Sequence, residues 1–282
     1  MTKITKVGIV GCGQMGAGIA QVCAMHGYDS YLWDNSAEIS SSALANIELR
    51  LGKLIEKKII TEEQFKGCMS RLHILANFSE YNQCQLIIEA ITENLSIKSK
   101  VFSDLSAVVS PECILASNTS SISITTLAAT VVNPERFIGL HFMNPVPVMK
   151  LLEIIRGLQT STTTFETALS FAKSLEKTTV VGIDSPGFIV NRVLCPMINE
   201  AIFLLQEGVK AQDIDTAMKL GTNQPMGPLE LADFVGLDTL LSILRVLHTE
   251  LGEDKYRPCP LLINYVAAGW LGKKSGKGFY QY

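Results

Sequence analysis

Short runs of branched apolar residues alternate with longer segments of helical period over the first two thirds of the chain. Lys6-Val7-Gly8-Ile9-Val10 reads as a strand, Gln14 to His26 as a helix closed by Gly27, and Tyr28 to Trp33 as a second strand. Further strands are predicted at Leu86–Ala90, Cys113–Ala116, Phe137–Phe142, Lys150–Ile155 and Thr178–Val181. Strand–helix alternation of this kind predicts an α/β fold, a mostly parallel sheet with helices on both faces. One stretch departs from it. Ser36 to about Lys66 carries no convincing strand and reads as two helices, a helical-hairpin insertion larger than a simple crossover needs.

The texture changes after Asp184-Ser185-Pro186-Gly187, a turn-forming cluster suited to a linker. Phe188 to Gln206 places apolar residues at 190, 193, 194, 197, 198, 201, 202 and 205, the i, i+3, i+4 spacing of a helix with one buried face. Asp213–Leu220 and Leu229–Leu251 continue as helices around the turn-rich 223–228 segment. Two domains are therefore expected, an α/β domain over 1–184 and an all-α C-terminal domain over 185–282.

Composition narrows the possibilities. The 282 residues are 47% hydrophobic and 18% charged, enough to build a sizeable core. A net charge of −3 argues against nucleic acid as a partner, since phosphate binding demands a basic surface. No apolar run reaches the roughly 18 residues of a membrane span. Met1 to Thr5 leads directly into a strand, so no signal peptide and a cytoplasmic location are expected. The seven cysteines are odd in number and irregularly spaced, without a C-x-x-C pair, so reduced thiols are expected and no metal site.

Gly11-Cys12-Gly13-Gln14-Met15-Gly16 is a G-x-G-x-x-G between the first strand and the first helix. The first glycine permits the tight turn, the second lets backbone approach a pyrophosphate, and the third lets helix and strand pack closely. Gln14 and Met15 open the helix whose N-terminus attracts the phosphates. The second strand ends in Asp34, 18 residues after Gly16, where a carboxylate accepts hydrogen bonds from a ribose and repels a 2′-phosphate. No Lys or Arg follows until Arg50. A Rossmann-type domain binding NAD rather than NADP is the expectation, with a glycine turn beside a surface aspartate as the bland alternative.

Of the four histidines, His26 and His248 sit near helix ends, and His73 lies in a short strand-like stretch without nearby acids. His141 differs because it ends a strand on the side where open α/β sheets bind ligands. Twelve residues on, Glu153 interrupts the otherwise apolar Leu151-Leu152-Glu153-Ile154-Ile155. A buried carboxylate needs a partner. A hydrogen bond to one ring nitrogen of His141 would fix its tautomer and leave the other for a substrate proton. A partly exposed edge glutamate remains the alternative. In the insertion, Arg50, Lys53 and Lys57 fall on one helical face. They form either a solvated basic face or one suited to the phosphates of coenzyme A.

Taken together, these motifs closely resemble the short-chain 3-hydroxyacyl-CoA dehydrogenase family. The resemblance also rests on Glu89-Ala90-Ile91-Thr92-Glu93-Asn94, Ala116-Ser117-Asn118-Thr119-Ser120-Ser121 and His141-Phe142-Met143-Asn144-Pro145. It continues through Pro186-Gly187-Phe188-Ile189-Val190-Asn191-Arg192, Pro225-Met226-Gly227-Pro228 and Lys274-Ser275-Gly276-Lys277-Gly278-Phe279-Tyr280. It implies NAD-dependent oxidation of 3-hydroxyacyl-CoA, with His141 as general base and Glu153 orienting it. Ser120 and Asn191 are implied to hydrogen-bond the substrate, although Ser120 as a helix cap and Asn191 as a polar face residue remain alternatives. Ala90, Glu93, Lys98, Asn118 and Asn144 are implied to join the glycine loop and Asp34 around NAD, and Lys53 and Lys57 to contact coenzyme A. A homodimer through the C-terminal domain is implied as well. Met143 stands where the family usually has Phe, a volume-conserving change. Two rival readings are weaker. A β-hydroxyacid dehydrogenase would carry a catalytic lysine where Asn191 stands, and a non-catalytic relative would not need the full polar set.

Overall fold

The computed structural model describes residues 3–282. Residues up to Asp184 form one compact unit and Ser185–Tyr282 another. In the first, eight strands lie in the order β3-β2-β1-β4-β5-β6-β7-β8. They are β1 Lys6–Val10, β2 Asp29–Trp33, β3 Leu72–Ile74, β4 Leu86–Glu89, β5 Ile114–Ser117, β6 Phe137–Phe142, β7 Leu151–Arg156 and β8 Thr178–Ile183. Every neighbouring pair is parallel except β6 and β7. The central strands are buried along their whole length, which explains why they read as continuous apolar runs rather than alternating ones.

Sequence order reverses between β1 and β4, which marks a crevice above the carboxyl ends of the strands as the place for a ligand. Helix α1 (Gln14–Met25) leads away from β1 and ends at Gly27, whose φ of +90° suits the residue after a helix. The insertion is a hairpin of α2 (Ala37–Glu56) and α3 (Glu62–Met69), each with a hydroxyl N-cap. Ser36 accepts from Ile39 N, and Thr61 forms a reciprocal capping box with Gln64. Helices α4 (Leu95–Ser106), α5 (Ile124–Ala128) and α6 (Thr162–Ser174) complete the unit. Short β3 places His73 3.9 Å from Asp29 and stacks its ring on Tyr31, so the expectation that no acid lies near His73 is corrected. The two residues are far apart in sequence and meet only through the β2–β3 pairing.

The second unit consists of α7 (Val190–Gln206), α8 (Ala211–Thr222), α9 (Pro228–Val235), α10 (Leu237–Leu251) and α11 (Pro260–Ala267). Its core gathers Ile198, Ile202, Leu229, Leu240, Leu244, Leu247 and Leu262. The helix expected over Leu229–Leu251 is two helices, broken at Gly236 with φ +103°. An apolar period persists across the break because both segments face the same core, so period alone could not reveal it. The carboxyl tail is held by two buried carboxylates. Asp233 accepts from Phe279 N, Tyr280 N and the Tyr282 hydroxyl, and Asp215 accepts from Leu229 N, Glu230 N and the Tyr280 hydroxyl. Gly278 is obligatory there, because a Cβ would lie 1.9 Å from Asp233 Oδ1.

All seven cysteines are free and buried, and burial raises the pKa of each. Among the described residues no helix is long and apolar enough to cross a membrane. Replacing Asp233 by Ala strands two backbone N–H groups in the interior and should cost about 2–4 kcal/mol. A lower urea midpoint, with faster amide exchange at Phe279 and Tyr280 than elsewhere in the unit, is the expected result.

Candidate functional site

The turn after β1 is built for an anion. Gly11 adopts φ +93° and donates its N–H to Trp33 O at 2.9 Å, tying the turn to β2. A Cβ on Gly16 would fall 1.8 Å from Gly11 O, so helix and turn meet backbone to backbone. Around Gly13, by contrast, the position of a Cβ has nothing within 4 Å. Helix α1 begins there without a side-chain cap, so its first N–H groups face that open space. Asp34, half-buried at the end of β2, accepts from Cys12 N at 2.8 Å and Ser36 N at 3.3 Å. Those bonds fix the carboxylate beside the loop with lone pairs to spare for a ribose. A dinucleotide's diphosphate and adenosine ribose fit this arrangement.

Around the loop stand the other residues expected to hold the cofactor. Ala90, at the end of β4, packs its backbone against Gly11. Asn144 Oδ1 accepts from Gln14 Nε2 at 3.0 Å, linking the β6–β7 connection to the start of α1, where Met15 is half-buried. Asn118 Oδ1 accepts from Phe142 N at 2.8 Å, tying β5 to β6. Lys98 is 1% exposed, with its ammonium 2.5 Å from Glu89 and 3.3 Å from Glu93. The lysine thus joins a network of carboxylates before it can meet any ligand.

That network positions the 117–121 turn. Glu93 Oε1 accepts from Thr119 Oγ1, Ser120 N, Ser121 N and Ser121 Oγ at 2.6–3.1 Å. Glu89, fully buried, accepts from Ser117 Oγ and Ile91 N. Burial pushes the Glu89 carboxyl up, and the Lys98 ammonium only partly offsets it. Burial acts on Glu93 too, but Lys98 and the donors of the turn hold its carboxyl below the ordinary value. Asp184 serves the same end of the unit by capping α5 at Ile124 N and Thr125 N.

His141 and Glu153 lie directly opposite each other in the antiparallel β6–β7 pair, so their side chains share a face. Glu153 Oε2 is 2.6 Å from His141 Nδ1, and Ser120 Oγ is 3.1 Å from Nε2. The imidazole is 5% exposed and the glutamate wholly buried. A carboxylate at Nδ1 holds the ring proton there and makes Nε2 the acceptor. The edge-glutamate alternative for Glu153 is thereby set aside. So is the reading of Ser120 as a cap, because Ser123 caps α5 through Thr126 N.

Asn191 lies in the first turn of α7, half-buried, in the second unit. Lys53 lines a groove of about 540 Å³ together with Gln14, Gly18, Gln21 and Asn144, whereas Lys57 is the exposed C-cap of α2 and does not line it. His26 bonds the carbonyl of Val22, and His248 stands 3.6 Å from Asp254, so both serve helix ends. Glu89 with its partner Ser117, and Thr119 and Ser121, which donate to Glu93, escaped sequence reasoning. One signal existed, since Glu89 interrupts an apolar strand in the same way as Glu153. Among the described residues no group of three potential metal ligands occurs.

Because its folded pKa is depressed, Glu93 contributes stability above its ordinary value of 4.5, and that contribution is lost as pH falls below it. Glu93→Gln should therefore lower Tm at pH 7, with the difference from the native protein shrinking as pH drops beneath 4.5. A pH-independent difference would contradict the charge-based anchoring of the turn.

Comparison with known proteins agrees with this layout. The family profile described as "3-hydroxyacyl-CoA dehydrogenase, NAD binding domain" matches residues 6–185, and "3-hydroxyacyl-CoA dehydrogenase, C-terminal domain" matches residues 187–282. The chain is 54% identical over 280 residues to a 3-hydroxybutyryl-CoA dehydrogenase of Bradyrhizobium diazoefficiens, covering 99% of this chain and 96% of the relative. It is 43% identical over 287 residues to the human mitochondrial hydroxyacyl-coenzyme A dehydrogenase, covering 99% and 91%. The crystal structure of (S)-3-hydroxybutyryl-CoA dehydrogenase from Ralstonia eutropha superposes with a TM-score of 0.96 at 47% identity, over 99% of both chains.

Proposed function

The chain belongs to the 3-hydroxyacyl-CoA dehydrogenase family, with an NAD-binding domain, and from that premise we propose that it interconverts (S)-3-hydroxybutyryl-CoA and acetoacetyl-CoA. The observation that carries this reading is the placement of His141 between Glu153 and Ser120 at the carboxyl end of the sheet. When bound, NAD supplies the hydride acceptor for carbon 3 of the substrate. His141 Nε2 takes the proton of the 3-hydroxyl. The Glu153 carboxylate keeps the ring oriented and stabilises the imidazolium that forms. Ser120 hydrogen-bonds the 3-oxygen, and the Glu93–Lys98–Glu89 network holds Ser120 in reach. Asn191 binds the acyl portion, and Asn144 helps set the site beside the base. In the reverse direction protonated His141 donates to the ketone.

Gly11, Gly13, Gln14, Met15, Gly16, Asp34, Ala90, Glu93, Lys98, Asn118 and Asn144 form the cofactor's surroundings in this reading, and Lys53 and Lys57 contribute to binding coenzyme A. The helical unit supplies a homodimer interface. A cytoplasmic role in fatty acid or butanoate metabolism accords with the bacterial relatives and with seven free thiols.

Oxidation of NADH by acetoacetyl-CoA, followed optically with NADPH as control, tests the reading. Turnover with NADH and little with NADPH is expected from the Asp34 carboxylate. NADH binding without turnover on any 3-oxoacyl-CoA would refute it. His141→Gln removes the proton acceptor but leaves the glycine loop intact. A fall in kcat of about 10²-fold or more is expected, with NADH affinity, measured by fluorescence titration, unchanged.

A further inference from the structure

Arg50 stands on a wall shared by two cavities. One, of about 530 Å³, opens on the glycine loop at Cys12, Gly13 and Gln14. The other is the groove of about 540 Å³ that carries Lys53 and Asn144. Arg50 is half-buried, and its Nε and Nη2 atoms are shielded from solvent without a hydrogen-bond partner. It takes part in none of the ion pairs of the described residues. Burial holds its pKa below the ordinary 12.5, with no acid to offset the effect. A guanidinium nonetheless stays protonated, so a cation sits uncompensated at the junction of the two cavities. On the groove side there is a second unmatched group. Gln21 is 2% exposed, lines the groove, and has no donor for its Oε1.

We propose that Arg50 is an anion-binding residue whose guanidinium swings from this shielded posture to bind the diphosphate of a nucleotide ligand. The planar fork of an arginine matches two phosphate oxygens at once, which the point charge of a lysine does not. Both ligands of the reaction proposed above, on which this inference rests, carry a diphosphate. NAD would present one at the glycine-loop cavity and coenzyme A at the groove. The groove runs alongside α1, about 18 Å long at 1.5 Å per residue, and its rim at Asn144 lies three residues beyond His141. Gln21 Oε1, midway along that helix, is then available to accept from an amide N–H of a pantetheine arm.

The test uses the intact protein and the variants Arg50→Met and Arg50→Lys. NADH is titrated by fluorescence, and coenzyme A and pantetheine by calorimetry. Arg50→Met should weaken one of the two nucleotides about tenfold or more, leave pantetheine unchanged, and be partly rescued by Arg50→Lys. Loss of coenzyme A affinity identifies the substrate as the source of the diphosphate, and loss of NADH affinity the cofactor. Unchanged affinity for both overturns the assignment. So does equal weakening of coenzyme A and pantetheine, or a general loss that Arg50→Lys does not relieve. The native protein separates this inference from the functional reading. Binding of both nucleotides without reduction of acetoacetyl-CoA defeats the reaction assignment and leaves that of Arg50 standing.

Discussion

A carboxylate in the middle of a sheet must find a partner or lose its charge, and Glu153 satisfies that demand through His141. The pairing dictates more than two side chains. It requires β7 to run against β6 so that the residues stand opposite in register, the single antiparallel step in an otherwise parallel sheet. It also requires β6 to end where β1, β4 and β5 end, so that the imidazole emerges at the crevice beside the glycine loop. An edge or topology change at that one pair would take the histidine from the acid and carry the base away from the ligand side.

The rest of the site is arranged by the same logic at shorter range. Glu89, Lys98 and Glu93 form a chain of charges whose outermost oxygen is shared among four donors of the 117–121 turn. Each member satisfies the next, which is the condition under which buried polar groups add rigidity rather than cost. Ser120 is therefore placed by a carboxylate that accepts from its backbone N–H. The backbone contact of Gly16 with Gly11 does the corresponding work at the phosphate loop, where shape rather than charge is the constraint.

Features governed by local rules were legible in the sequence. The glycine spacing, Asp34, the apolar central strands and the two-helix insertion all follow from residue type and period. The surroundings of the charged residues were not legible, because they depend on which elements become neighbours. Lys98 presents itself as a ligand contact from its motif, yet its ammonium is enclosed by two glutamates. Arg50, Lys53 and Lys57 share a helical face, but the helix ends at Glu56 and leaves Lys57 outside the groove that Lys53 lines. The break at Gly236 was hidden because apolar residues on both sides pack into one core. Pairing of Glu153 with His141 was inferred from the cost of burying an acid, and the same reasoning applied to Leu86-Ile87-Ile88-Glu89 would have found the second network.

The interior location of the thiols has a chemical consequence. Burial pushes Cys12, in the phosphate loop itself, up to about 11, and Cys84 and Cys195 to about 12. At neutral pH the thiolate is then on the order of one part in ten thousand of Cys12 and less of the other two, and it is the thiolate that peroxides and electrophiles attack. The sulfur of the glycine loop, buried and hydrogen-bonded by the Ser40 hydroxyl, is thus held in its less reactive thiol form.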